Sequence, residues 1–198
     1  MPGDLTPLQY APLSKGEARL LYATSSGSEI EWTLKPARLL RGPGEPPLEF
    51  DALSYTWGDF ERAALLRIND EALHVHHNLN EALPYFVPRL NGRPIWIDAI
   101  CINQQGDDDK TQQIALMAHI YRRAQVVWAW LGYHDDAVHK LLDKIVAVAA
   151  QMTDDGTQIP RWELSQLEGE PTPSWYKRLW VVQEVHSRSN QSEHRWIR

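Results

Sequence analysis

The sequence predicts an α/β domain: a mainly parallel sheet flanked by helices, with an added N-terminal β region. Three observations predict it. Residues 93–132, RPIWIDAICINQQGDDDKTQQIALMAHIYRRAQVVWAWLG, read as strand, polar loop, amphipathic helix and strand. A unit of that length forms a βαβ crossover with parallel strands. Short apolar runs at 52–57 (ALSYTW) and 94–97 (PIWI) lack polar alternation, as strands buried on both faces do. Apolar residues make up 43% of the 198, enough for one domain with a real core.

Composition narrows the partners. Twenty basic residues stand against 26 acidic ones, giving a net charge of −6. No basic run with interleaved aromatics offsets that balance, so no nucleic-acid partner is expected. A single cysteine, Cys101, excludes an intrachain disulfide and fits a reducing compartment. The opening MPGDLTPLQYAPL has no basic region followed by an apolar one, so no signal peptide is expected. No apolar run approaches the ~18–20 residues of a membrane span. The expectation is a cytoplasmic protein. Nine tryptophans are read first as core and loop anchors.

Taken in order, 17–22 and 30–40 read as β segments joined by the turn TSSGS, followed by a Pro/Gly-rich loop at 42–47. The strand at 52–57 is halted by Gly58 and Asp59. Residues 65–69 and 72–76 resemble a hairpin. Leu79, Ala82, Leu83, Phe86, Val87 and Leu90 share a helical face, with Asn78 as N-cap. Pro84 within that pattern and Pro88 near its end predict a kink, or a start only near Leu83. The strand at 94–97 ends at Asp98, and a loop leads to Asp107, Asp108 and Asp109, which suit a helix N-terminus. Ile114, Met117, Ile120, Tyr121 and Ala124 form that helix's stripe, with Arg122 and Arg123 at its end. A strand at 126–131 follows. Beyond it, 135–152 reads as a helix and 153–174 as a polar loop. Residues 186–198 show neither strand nor helix pattern. Three segments result: 1–49, a β region and loop; 50–185, the main domain; and 186–198, a polar tail.

In open α/β sheets, ligands bind outside the carboxyl ends of the strands. The exits Trp57, Gly58, Asp59 and Asp98 to Gln104 both lie there on this reading, with Asp98, Cys101, Asn103 and Gln104 as candidate contacts. Each has a plainer reading. Trp57 and Gly58 mark a tight strand exit, and Asp98 bonds its own loop. Cys101, between Ile100 and Ile102, suits a small core residue better than a thiol nucleophile. His74, His76 and His77 have ligand-like spacing, but no cysteine or carboxylate cluster completes a set, so no metal is expected. Asp107 to Asp109 suit helix-end electrostatics rather than a cation site.

Three blocks then carry a resemblance: 52–58 (ALSYTWG), 95–104 (IWIDAICINQ) and 179–184 (LWVVQE). With Gln113, Met117, Ile120, Tyr121, Ala124 and 130–132 (WLG) between them, the chain resembles the heterokaryon-incompatibility (HET) domain of filamentous fungi over roughly residues 50–185. The resemblance implies a fungal protein acting in non-self recognition and regulated cell death. It also implies a distant, flavodoxin-like relation to TIR domains, some of which cleave NAD with the glutamate of a Trp-x-x-x-Glu pattern. Trp180 and Glu184 have that spacing, and on a helix such positions share a face. Glu184 is thus the implied catalytic carboxylate, with Trp180 beside it. An apolar neighbour would disfavour its ionisation. The plainer reading pairs Glu184 with Arg178 or Arg188. NAD is the implied substrate, and no cofactor is expected. The chain departs from the family after this block, where HSRSNQSEHRWIR replaces the expected apolar strand with small residues. Three function classes follow: an NAD-consuming enzyme, a self-associating signalling module answering an upstream sensor, or an inactive truncated copy.

Overall fold

The computed structural model describes residues 5–26, 29–39, 42–55, 57, 63–130 and 194–197. Strands β1 (Glu17–Ser26) and β2 (Glu29–Arg38) pair antiparallel along their whole length, from Glu17 opposite Arg38 to Ser26 opposite Glu29. Strand β3 (Asp51–Tyr55) is buried at every position, its apolar run of Ala52 and Leu53 flanked by the polar Asp51 and Ser54. Strands β4 (Ala63–Ile68) and β5 (Glu71–His76) form a hairpin. Its turn residues Asn69 and Asp70 both have positive φ, 52° and 64°. That backbone matches the twist of the flanking strands, and Asn and Asp tolerate it.

Helix α1 (His77–Phe86) runs into a 3₁₀ turn (Val87–Arg89), then strand β6 (Ile95–Ile97). One-turn helix α2 (Asp98–Cys101), helix α3 (Asp107–Arg123) and strand β7 (Val127–Trp130) follow. Strand β8 (His194–Ile197) completes the described elements. The strands form one mixed eight-stranded sheet in the order β5-β4-β2-β1-β6-β3-β7-β8. Strand β3 is parallel to both neighbours, β6 and β7, and β7 is parallel to β8. The β1–β2, β1–β6 and β4–β5 pairs are antiparallel, so the N-terminal hairpin belongs to the same sheet.

Two helices cover opposite faces of the parallel strands. The Phe86 ring of α1 lies 6.0 Å from that of Trp128 and 6.1 Å from that of Trp130. The Tyr121 ring of α3 meets Trp96 edge-on at 5.4 Å. Trp128 stands beside Leu53, whereas Trp96 stands beside Ala52. Consecutive residues of one strand point to opposite faces, so α1 and α3 must lie on opposite sides of β3.

The strands on either side of α3 are parallel, as the crossover predicts, with β3 between them. Several expectations need correction. Helix α1 begins at His77 and not near Leu83, with Pro84 inside it. Pro84 is exposed, while Leu79, Ala82, Leu83 and Phe86 are buried. Burial of that stripe outweighs the lost backbone bond, and the helix tightens into a 3₁₀ turn just beyond. Asn78 does not cap the helix; His76 occupies that position, without a side-chain cap bond. Residues 98–101 form a helical turn rather than open loop. On α3, Ile114 is 43% exposed and Gln113 is buried, because the Gln113 amide donates to the Glu17 carbonyl at 2.9 Å. The β1 end thus takes a polar residue inward where periodicity favoured the isoleucine. The tail also contains a strand, β8, laid parallel on β7. A sheet edge supplies donors and acceptors to any extended backbone, which no sequence period need announce. The expected helix at 135–152 and loop at 153–174 lie outside the described residues.

Candidate functional site at the carboxyl edge of the parallel strands

The exits of β3 and β6 meet. Trp57, just beyond β3, points its indole Nε1–H at the carboxylate of Asp98, 3.2 Å from Oδ1 and 3.1 Å from Oδ2. Asp98 opens α2 directly after β6, and its Oδ1 also accepts the Ala99 N–H at 2.7 Å. The carboxylate therefore sits among N–H groups, where negative charge is favoured. The Asp98 carbonyl accepts the Gln104 side-chain amide at 3.0 Å and the Ile102 N–H at 3.2 Å. From the end of β5, just before α1, the His76 ring lies 5.3 Å from that of Trp57. Asn78, two residues on, accepts the Trp130 indole N–H at 2.8 Å from the end of β7. The ends of three neighbouring strands and one helix are thus joined through aromatic rings and amide or carboxylate oxygens.

The other candidate residues divide. Asn103 acts locally: its N–H donates to Asp109 Oδ2 at 3.0 Å and its Oδ1 accepts the Gln105 N–H at 3.1 Å. Cys101 is fully buried, and its Sγ accepts the Ile97 N–H at 3.4 Å. Burial, aided by the charge of Asp98, pushes its thiol up to about 12, so it is protonated at neutral pH. Gly58, Asp59, Trp180 and Glu184 lie outside the described residues. Among the described residues, no group of three or more His, Cys, Asp or Glu is arranged to hold a metal ion.

Five residues shape this edge or brace the sheet around it, and apart from Arg19 none carries a sequence pattern that singles it out for its role. His76 and Asn78 stand at the edge itself. At the opposite end of β3, the buried Asp51 pairs with the partly exposed Arg93, and Trp128 donates to the same carboxylate. Arg19 pairs with Asp109 at 2.8 Å. A signal for Arg19 did exist: a charge inside the apolar run EARLLY has to be paired if that strand is buried.

Residues 50–184 match the family model described as Heterokaryon incompatibility protein (HET). This chain belongs to the HET family. The matched stretch contains β3 to β7, with Trp57, His76, Asp98 and Asn103, while the β1–β2 hairpin precedes it. The HET domain is also similar to heterokaryon incompatibility protein 6, OR allele, of Neurospora crassa, at 28% identity over 189 residues. That match covers 72% of this chain but only 28% of the relative's length. No solved structure matches. Among the described residues, no helix is long and apolar enough to cross a membrane.

Proposed function

We propose that this HET domain acts in the cytoplasm of a filamentous fungus in heterokaryon incompatibility, triggering cell death after non-self recognition by cleaving NAD. The strand order β6-β3-β7 carries the reading. It is the 2-1-3 order that opens a flavodoxin-like sheet, in which a ligand lies at the carboxyl ends where the order reverses. Trp57 and Asp98 meet at that edge. The positively charged nicotinamide ring of NAD suits an indole face next to a carboxylate. Asn103 and Gln104 follow Asp98 on the same loop as further proposed contacts, Cys101 supports that loop from the core, and Gly58 and Asp59 are proposed contacts from the sequence alone.

Glu184, four residues after Trp180, is the proposed catalytic carboxylate. The bond from ribose to nicotinamide breaks, and its electron pair leaves with the neutral nicotinamide. The oxocarbenium ion left on the ribose is stabilised by the carboxylate, and water adds to the anomeric carbon with loss of a proton. The products are nicotinamide and ADP-ribose. No strong general acid is needed, because the leaving group is neutral once released.

The test is NAD consumption by the purified chain, with and without forced dimerisation, against Glu184→Gln. Glutamine keeps the size but removes the charge. Loss of about 3–4 kcal/mol of stabilisation slows turnover on the order of 10²–10³-fold, and toxicity on expression falls with it. A folded Glu184→Gln protein that stays fully toxic defeats the enzymatic reading in favour of a self-associating signalling module. A parent chain that neither consumes NAD nor harms cells, even when dimerised, points to an inactive copy.

A further inference from the structure

We propose that Arg19, which lies before the family-matched stretch, is the positioning residue that holds the loop carrying Asp98, Asn103 and Gln104 in place. The side chain of Arg19 is 3% exposed, and every one of its five N–H groups has a partner. Nε and Nη2 donate to the Ala11 carbonyl at 3.0 and 2.6 Å. Nη1 donates to the Cys101 carbonyl at 3.2 Å and to Asp109 Oδ2 at 3.0 Å, and Nη2 to Asp109 Oδ1 at 2.8 Å. The Tyr10 ring lies 5.1 Å from the guanidinium carbon. One side chain thus ties the N-terminal segment, the end of α2 and the first turn of α3 together.

The path from this fork to the site is continuous. Asp109 Oδ2, held by Arg19, also accepts the Asn103 N–H. Asn103 in turn closes a tight turn: its side chain accepts the Gln105 N–H, and its carbonyl accepts the Gly106 N–H at 3.2 Å. A Cβ on Gly106 would lie 2.9 Å from Asn103 Nδ2, so this turn packs closely against the start of α3. Between those anchors Gln104 reaches back to the Asp98 carbonyl, and Asp98 receives Trp57. Fixing residues 101 and 109 from outside fixes the intervening chain, and Gln104 carries that constraint back to the Asp98 backbone, whose side chain receives Trp57. A lysine at 19 would keep the charge but offer a single point of donors, unable to span Ala11, Cys101 and both Asp109 oxygens.

The functional consequence rests on the NAD-site reading, whereas the coupling does not. Indole Nε1–H resonances of the ¹⁵N-labelled full chain measure the coupling directly. Trp57→Phe assigns the Trp57 signal, Trp128→Phe assigns that of Trp128 at the far end of the sheet, and Asp98→Asn marks the Trp57 position without the carboxylate charge. Arg19→Lys and Asp109→Asn should each move the Trp57 resonance toward the Asp98→Asn position and leave that of Trp128 in place. A purely structural role would lower the melting midpoint and leave Trp57 where it was. A folded Arg19→Lys or Asp109→Asn chain with an unmoved Trp57 resonance therefore overturns the proposal. If neither variant folds, native-state hydrogen exchange on the unaltered chain decides. The Asn103 amide and the Trp57 indole proton should then open together, with one common denaturant dependence, and separate openings overturn the proposal. NAD turnover is followed in parallel. A parent chain without turnover sinks the enzymatic reading alone, and the indole result still decides the role of Arg19.

Discussion

Replacing Arg93 by methionine should destabilise the domain heavily without altering the carboxyl-edge site. Arg93 meets the Asp51 carboxylate side by side, Nε to Oδ1 at 2.9 Å and Nη2 to Oδ2 at 3.1 Å. The Asp51 side chain is fully buried and also accepts the Trp128 indole N–H at 2.9 Å, while that of Arg93 is 27% exposed. This bonding holds the guanidinium above its ordinary pKa, more than offsetting the burial that opposes it. Methionine removes the partner and leaves a carboxylate in the core with one neutral donor. Breaking a buried pair from one side costs about 3–5 kcal/mol. Water reaches Arg93, which favours the lower end. For a chain of this size, that corresponds to a melting midpoint lower by roughly 6–20 °C. Thermal melts of the parent, Arg93→Met, Arg93→Lys, Asp51→Asn and the double change Asp51→Asn with Arg93→Met measure it. Lysine should fall between parent and methionine, and the double variant should lose less than the two single losses added. A loss below about 1 kcal/mol for Arg93→Met would place the pair with ordinary surface ion pairs. The claim that Asp51 depends on Arg93 would then fail.

Two further outcomes test the core. Ile97 is fully buried in the short strand β6, so Ile97→Ala should cost about 2–5 kcal/mol in a denaturant melt; an unchanged midpoint would show the strand to be peripheral. Cys101 should resist alkylation in the native chain at neutral pH and react only on unfolding, since burial holds its thiol near 12 against an ordinary 9.0. The sign of the linked effect follows from that raised value. Its contribution to stability is intact below about pH 9 and is lost as pH rises towards about 12, and Cys101→Ala should flatten that part of the alkaline profile. Rapid native alkylation, or an alkaline profile unchanged by Cys101→Ala, would contradict the buried thiol.

The sequence by itself determined the elements that local chemistry writes plainly. The run read as a strand at 52–57 coincides with strand β3 (Asp51–Tyr55) over 52–55, the three aspartates mark the start of α3, and Arg122 and Arg123 mark its end. The two strand exits were legible as neighbours because parallel strands buried on both faces present their loops at one edge, and Trp57 and Asp98 do meet. The family was legible too, since its blocks are runs of specific residues in a fixed order. Only the tertiary structure decided what depends on partners far along the chain. Strand β3 comes between β6 and β7 because pairing is settled by which edges meet, and periodicity is silent on that. Gln113 turns inward in place of Ile114 because the Glu17 carbonyl, 96 residues away, requires a donor. Pro84 stays within α1 because the buried stripe around it contributes more than one backbone bond removes. Arg19 reads as a stray charge in an apolar strand until Ala11, Cys101 and Asp109 converge on it. A buried charge needs its partners, and folding alone brings these together from three separate parts of the chain.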